Sequence, residues 1–244
     1  MLKRLYEKSK LWFAIMWIIL YCVLMSLADN LSVMLGVNKL VTLIVGLALS
    51  VSILIFLFKN NLFAEYGLCP PRVSARSMLY YLPPLVMLTA NLWGGVSLNP
   101  RALEALLFVL SMLLVGFLEE IIFRGFLFEA MRGENITAAV IVSSVTFGIG
   151  HIINLINGSG AELLPNLLQL VYATAAGFMF VMMYYRSGSL ISSIIAHGVF
   201  NALSLFSNEA SLTIGTRILT SLLLTLITGS YALYLALAFK RKKQ

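Results

Sequence analysis

The sequence predicts an all-α fold, a polytopic membrane helix bundle of about eight transmembrane helices with both termini cytoplasmic. Three observations carry this prediction. Of the 244 residues, 60% are hydrophobic and 11% charged, against about 45–50% and about 25% in soluble domains. The apolar residues gather into stretches near the roughly 20 needed to cross a bilayer as helix, without the alternation of a membrane strand. Basic residues concentrate in alternate connections, as the positive-inside rule requires.

The apolar segments run near 11–28, 39–58, 77–96, 102–130, 136–156, 163–186, 189–207 and 213–239. Before the first stand Lys3, Arg4, Lys8 and Lys10, and it ends in 26-SLAD-29, which resembles a signal-peptide cleavage site. The apolar run of about 18 residues exceeds the roughly 7–15 of a signal core, so an uncleaved first helix is expected. The connection 59–76 is polar, and its Cys69-Pro70-Pro71 run resists helix. Pro83-Pro84 should kink the third helix, which neighbouring helices can accommodate. Pro165 falls in the first turn of the sixth, where proline fits. No repeat or low-complexity tract divides residues 1–244, which read as one domain with a core at about 102–207.

Eight crossings with the N-terminus inside put thirteen basic residues in the cytoplasm: Lys3, Arg4, Lys8, Lys10, Lys59, Arg72, Arg76, Arg132, Arg186, Lys240, Arg241, Lys242 and Lys243. Only Lys39, Arg101 and Arg217 fall outside. The net charge of +7 is therefore a topology signal. No free basic domain exists to bind nucleic acid. Cys22 and Cys69 make no disulfide framework or cysteine metal site.

Arg124 remains within a membrane segment, as do Glu119 and Glu120. Ionisable groups there cost about 2.5–3.5 kcal/mol each on insertion scales and usually face the protein interior. Glu120 and Arg124 share a helix face at i,i+4 spacing. Glu119 lies about 100° away and is free for chemistry. The only two histidines, His151 and His197, also lie in apolar segments. Phe147 precedes His151 by one turn, and Asn201 follows His197 by one turn. Gly148, Gly150 and Gly198 permit close helix approach. These parts suit amide hydrolysis by general base catalysis: Glu119 with His151 would activate water, and His197 with Asn201 would bind the oxyanion. No G-x-S-x-G elbow offers a serine nucleophile. No H-E-x-x-H occurs either, but zinc held by Glu119, His151 and His197 with a water stays open as an alternative to a cofactor-free site. Two further readings compete: a proton-coupled transporter, since buried Glu and His serve relays, and a non-enzymatic membrane scaffold or immunity protein.

The blocks 119-EEIIFR-124, 147-FGIGH-151 and 197-HGVFN-201 resemble the EExxxR, FxxxH and HxxxN motifs of the CAAX protease and bacteriocin-processing family, also called the Abi or type II CAAX prenyl endopeptidase family. The resemblance covers about residues 102–207. It implies a glutamate-dependent intramembrane endopeptidase in which Glu119 and His151 activate water, His197 and Asn201 form the oxyanion site, and Glu120, Arg124 and Phe147 support them. Its partners would be the lipid bilayer and a membrane-associated protein or peptide substrate, prenylated and CAAX-like or not. A bacterial cell membrane is the expected location, with the site opening to the cytoplasmic half. From the expected cytoplasmic helix ends, Glu119 would lie about 16 Å, His197 about 12 Å and His151 about 22 Å deep, a spread that helix tilt must absorb.

Overall fold

Proline, glycine and capping side chains set where the helices begin and end. A computed structural model describes residues 2–98, 101–155 and 162–240, so the basic residues Arg241, Lys242 and Lys243 lie outside it. A short α1 (Leu2–Lys8) leads into α2 (Lys10–Met34), which starts where the Ser9 hydroxyl accepts the amide of Trp12. Gly36 and Lys39 adopt positive φ and turn the chain into α3 (Leu40–Lys59). Asp29 pins this turn by accepting from Lys39 Nζ at 2.8 Å and Thr42 Oγ1 at 2.5 Å.

The third expected segment is short and broken. A 3-10 stretch (Ala75–Tyr81) carries positive φ at Leu79, Tyr80 and Tyr81. Helix α4 (Leu82–Leu88) starts only at Pro83-Pro84. Prolines lack amide donors and fit a first turn, so here they start a helix where a mid-helix kink was expected. At seven residues, α4 spans only about 10 Å.

Helix α5 (Ala102–Glu119) continues through a widened π-helical stretch (Glu120–Phe128) into α6 (Glu129–Arg132). Asn135 caps α7 (Ile136–Gly150), which tightens into a 3-10 turn at His151–Leu155. Helix α8 (Leu163–Ser187) ends at Gly188, whose positive φ of 68° returns the chain. Helix α9 (Ile191–Leu203) follows, and α10 (Ile214–Lys240) closes the described chain. Among the described residues, six helical runs are long and apolar enough to cross a membrane: α2, α3, α5 with α6, α7 with its 3-10 turn, α8 and α10. The shorter α4 and α9 occupy the third and seventh places.

Helices α5 and α9 form one closely packed pair, α7, α8 and α10 pack in succession, and α2 lies against α3 and the π-helical stretch. Glycines permit the closest approaches. A Cβ on Gly116 would stand 2.5 Å from the Cα of Gly198. One on Gly148 would clash with Thr174 of α8. Gly150 differs from expectation, because nothing lies within 4 Å of its Cβ position; it lines a cavity instead.

Candidate active site

The two adjacent glutamates sit where α5 widens. Such π-helical turns are often found at functional sites. Glu120 and Arg124 are both fully buried (0% exposed), and Arg124 Nη1 donates to Glu120 Oε1 at 3.0 Å. The guanidinium carbon lies 4.1 Å from the Phe147 ring centroid and 5.5 Å from that of Phe180. Arg124 Nε and Nη2 have no hydrogen-bond partner among the described residues, so these two ring faces are what meets the rest of the cation. Phe147 thus supports an arginine as well as a histidine.

Helix α9 brings His197 to both carboxylates. Its Nδ1 lies 2.9 Å from Glu120 Oε1, and its Nε2 lies 3.3 Å from Glu119 Oε2. The Gly116–Gly198 crossing brings the neighbouring residues this close. The imidazole stacks on Phe180 at 5.3 Å and meets Phe147 edge-on at 5.5 Å, which restricts its rotation. The other oxygen of Glu119 accepts from the Tyr21 hydroxyl at 2.7 Å. Tyr21 belongs to α2, and the motifs gave no sign of it. No spacing rule connects residues 98 positions apart; the available signal was a hydroxyl within a largely aliphatic span.

His151 occupies the C-cap of α7. Its Nδ1 lies 3.1 Å from the Phe147 carbonyl, and its own carbonyl accepts from Asn166 Nδ2 at 2.8 Å. The ring meets Phe147 edge-on at 5.1 Å. Glu119, His151 and Asn201 line a cavity of about 370 Å³. A smaller cavity of about 40 Å³ is lined by His151, His197 and Asn201. The two share His151, Asn201 and Phe147 in their walls. The four expected site residues therefore surround adjoining spaces. The nitrogen in contact with Glu119 belongs to His197, whereas His151 stands elsewhere on the cavity wall.

The large cavity runs from mid-bundle toward one face. Its inner wall is Tyr21, Glu119, Phe123 and Phe147; toward the face lie Asp29, Lys39, Asn91, Asn154 and Ser204. These outer residues belong to the C-terminal end of α2, the turn before α3, and the 3-10 turns that follow α4, α7 and α9. That face is opposite the one bearing the start of α2 and the end of α10. Termini and opening were expected on one face, whereas the outer lining of the cavity lies across the bundle from the start of α2. The expected depths counted from the cytoplasmic ends; the structure puts His151 at the far end of its helix.

A zinc ion does not fit the donors well. His197 has a carboxylate oxygen at each ring nitrogen. Among the described residues, no three His, Cys, Asp or Glu side chains form a metal-binding group. No step below is routed through a metal.

Fold and site together define an integral membrane protein whose buried acid–histidine cluster faces an internal cavity. Residues 101–203 match the family model described as type II CAAX prenyl endopeptidase Rce1-like. The matched stretch, from α5 to α9, is similar to that family and holds all three motifs. Tyr21 and Lys39 lie outside the matched segment. No curated protein and no solved structure matches the chain.

Proposed function

We propose that the protein is an intramembrane endopeptidase that hydrolyses a peptide bond in a membrane-associated polypeptide with water activated by Glu119. The observation that carries this reading is the Glu119 carboxylate on a cavity wall, held between the Tyr21 hydroxyl at 2.7 Å and His197 Nε2 at 3.3 Å. A pair with Arg124 would satisfy one buried carboxylate, and Glu120 already makes it. Among the described residues Glu119 is paired with no arginine or lysine, and it is available to accept a proton.

Glu119 takes a proton from water while the water oxygen bonds to the peptide carbonyl carbon. The carbonyl oxygen becomes an oxyanion and receives hydrogen bonds from the Asn201 amide and from Nε2–H of His197, which acts as an imidazolium with a proton on each ring nitrogen. His151, elsewhere on the wall, orients the water. The C–N bond then breaks, and the proton held by Glu119 passes to the leaving amine. Glu120, anchored by Arg124, accepts from His197 Nδ1 and so directs Nε2 to the reaction. General base catalysis typically contributes about 10²–10⁴-fold, and an oxyanion donor about 10²–10³-fold. The substrate is a membrane-associated polypeptide, whether prenylated and CAAX-like or an unmodified peptide, and no metal or cofactor takes part.

The test uses the purified full chain in lipid nanodiscs with membrane-anchored peptides, followed by mass spectrometry. Wild type should release two products, and Glu119→Gln should slow release at least about 10²-fold while remaining folded. Undiminished cleavage by Glu119→Gln would reject the reading. Proton-coupled uptake without cleavage would favour a transporter.

A further inference from the structure

Three basic residues lie on the face where the large cavity opens, and each stands beside an acid. Lys39 meets Asp29 at 2.8 Å, Arg217 meets Glu209 at 2.7 Å, and Arg101 lies 3.7 Å from Glu104. The opposite face carries nine described basic residues: Lys3, Arg4, Lys8, Lys10, Lys59, Arg72, Arg76, Arg132 and Arg186. The positive-inside rule makes that second face cytoplasmic. The cavity then opens away from the cytoplasm.

A second cavity of about 300 Å³ opens on the same side, with Gly94, Pro165, Ser207, Glu209 and Arg217 in its wall. It shares Asn91, Gln169, Tyr172, Phe200 and Ser204 with the cavity of about 370 Å³. Both volumes lie at the lower end of the range for ligand pockets, about 300–1,000 Å³. Side-by-side cavities that meet at amide and hydroxyl groups suit an extended chain passing across the site, with backbone groups to pair on both sides.

We propose that the site is loaded from the non-cytoplasmic side, and that its substrate class is a polypeptide segment that has already crossed the membrane. A tail presented from the cytoplasm would meet the basic end of the bundle, away from both cavities. The proposal rests on the reading of Glu119 as the catalytic base only in calling the occupant a substrate; the access face stands on charge distribution and cavity position alone.

The experiment uses the full chain in intact cells, with Cys22→Ser and Cys69→Ser as background. Single cysteines are placed at Asn38→Cys in the turn before α3, at Ser204→Cys on the cavity rim, and at Glu134→Cys on the opposite face. A membrane-impermeant maleimide should label Asn38→Cys and Ser204→Cys in intact cells, and Glu134→Cys only after permeabilisation. The reverse pattern would overturn the proposal. A single peptide substrate, supplied in exported and in cytoplasmically retained forms, gives a second readout. Cleavage confined to the exported form is expected, and cleavage confined to the retained form would overturn the proposal. The labelling is repeated with Glu119→Gln, where the same pattern is expected. Loss of the catalytic reading would appear as cleavage surviving Glu119→Gln, with labelling unchanged, so the two failures are distinguishable.

Discussion

Gly116→Ala should disable the site without touching any reacting group. The added methyl would stand 2.5 Å from both the Cα and the nitrogen of Gly198. Ordinary carbon contacts sit at about 3.5–4.0 Å, so α5 and α9 must part by roughly 1 Å. His197 is the residue before Gly198 and moves with it. Its contacts with Glu120 and Glu119, now 2.9 and 3.3 Å, would stretch toward about 4 Å, beyond hydrogen-bond reach. A misplacement of about 1 Å can cost on the order of 10²-fold in rate. Overpacking itself costs about 1–3 kcal/mol. The assay is kcat for peptide cleavage in nanodiscs, alongside a melting measurement to separate rate from folding. Gly133→Ala is the control, since nothing lies within 4 Å of its Cβ position. A folded Gly116→Ala protein with wild-type kcat would refute the argument that this crossing holds His197 in place.

Two further substitutions address the groups around the carboxylates. Tyr21→Phe keeps the ring but removes the 2.7 Å hydrogen bond to Glu119. Hydrogen bonds to charged groups contribute about 1.5–3 kcal/mol, so kcat should fall about tenfold or more, with KM little changed, in steady-state kinetics. Arg124→Ala leaves the fully buried Glu120 without its cation, and breaking such a pair costs about 3–5 kcal/mol. A lower melting temperature is expected, largely restored when Glu120→Gln and Arg124→Met are combined.

The local parts of this site were legible in the sequence. Glu120 and Arg124, Phe147 and His151, and His197 and Asn201 are each four residues apart, and one helical turn dictates that each pair shares a side. What joins these pairs was hidden. The contact of His197 with Glu119 depends on the crossing at Gly116, an unremarkable glycine in the apolar run before the motif. Tyr21 comes from a helix outside the motif region, so only tertiary packing reveals it. The third segment reads as an apolar span by composition, yet consecutive prolines start α4 late and leave it short. Charge asymmetry points to the cytoplasmic face, but it carries no information on which end of the bundle is hollow. That depends on where α7 and α9 stop, at Gly150 and Leu203.

The most direct test of the account is a double-mutant cycle on kcat with Glu119→Gln and His197→Gln. Groups that serve one chemical step act as a unit, and their losses are then strongly non-additive. The double variant should be no slower than the slower single variant. Losses that multiply in full, each residue contributing as though the other were absent, would contradict the claim that α5 and α9 bring these two side chains together for a single chemical step.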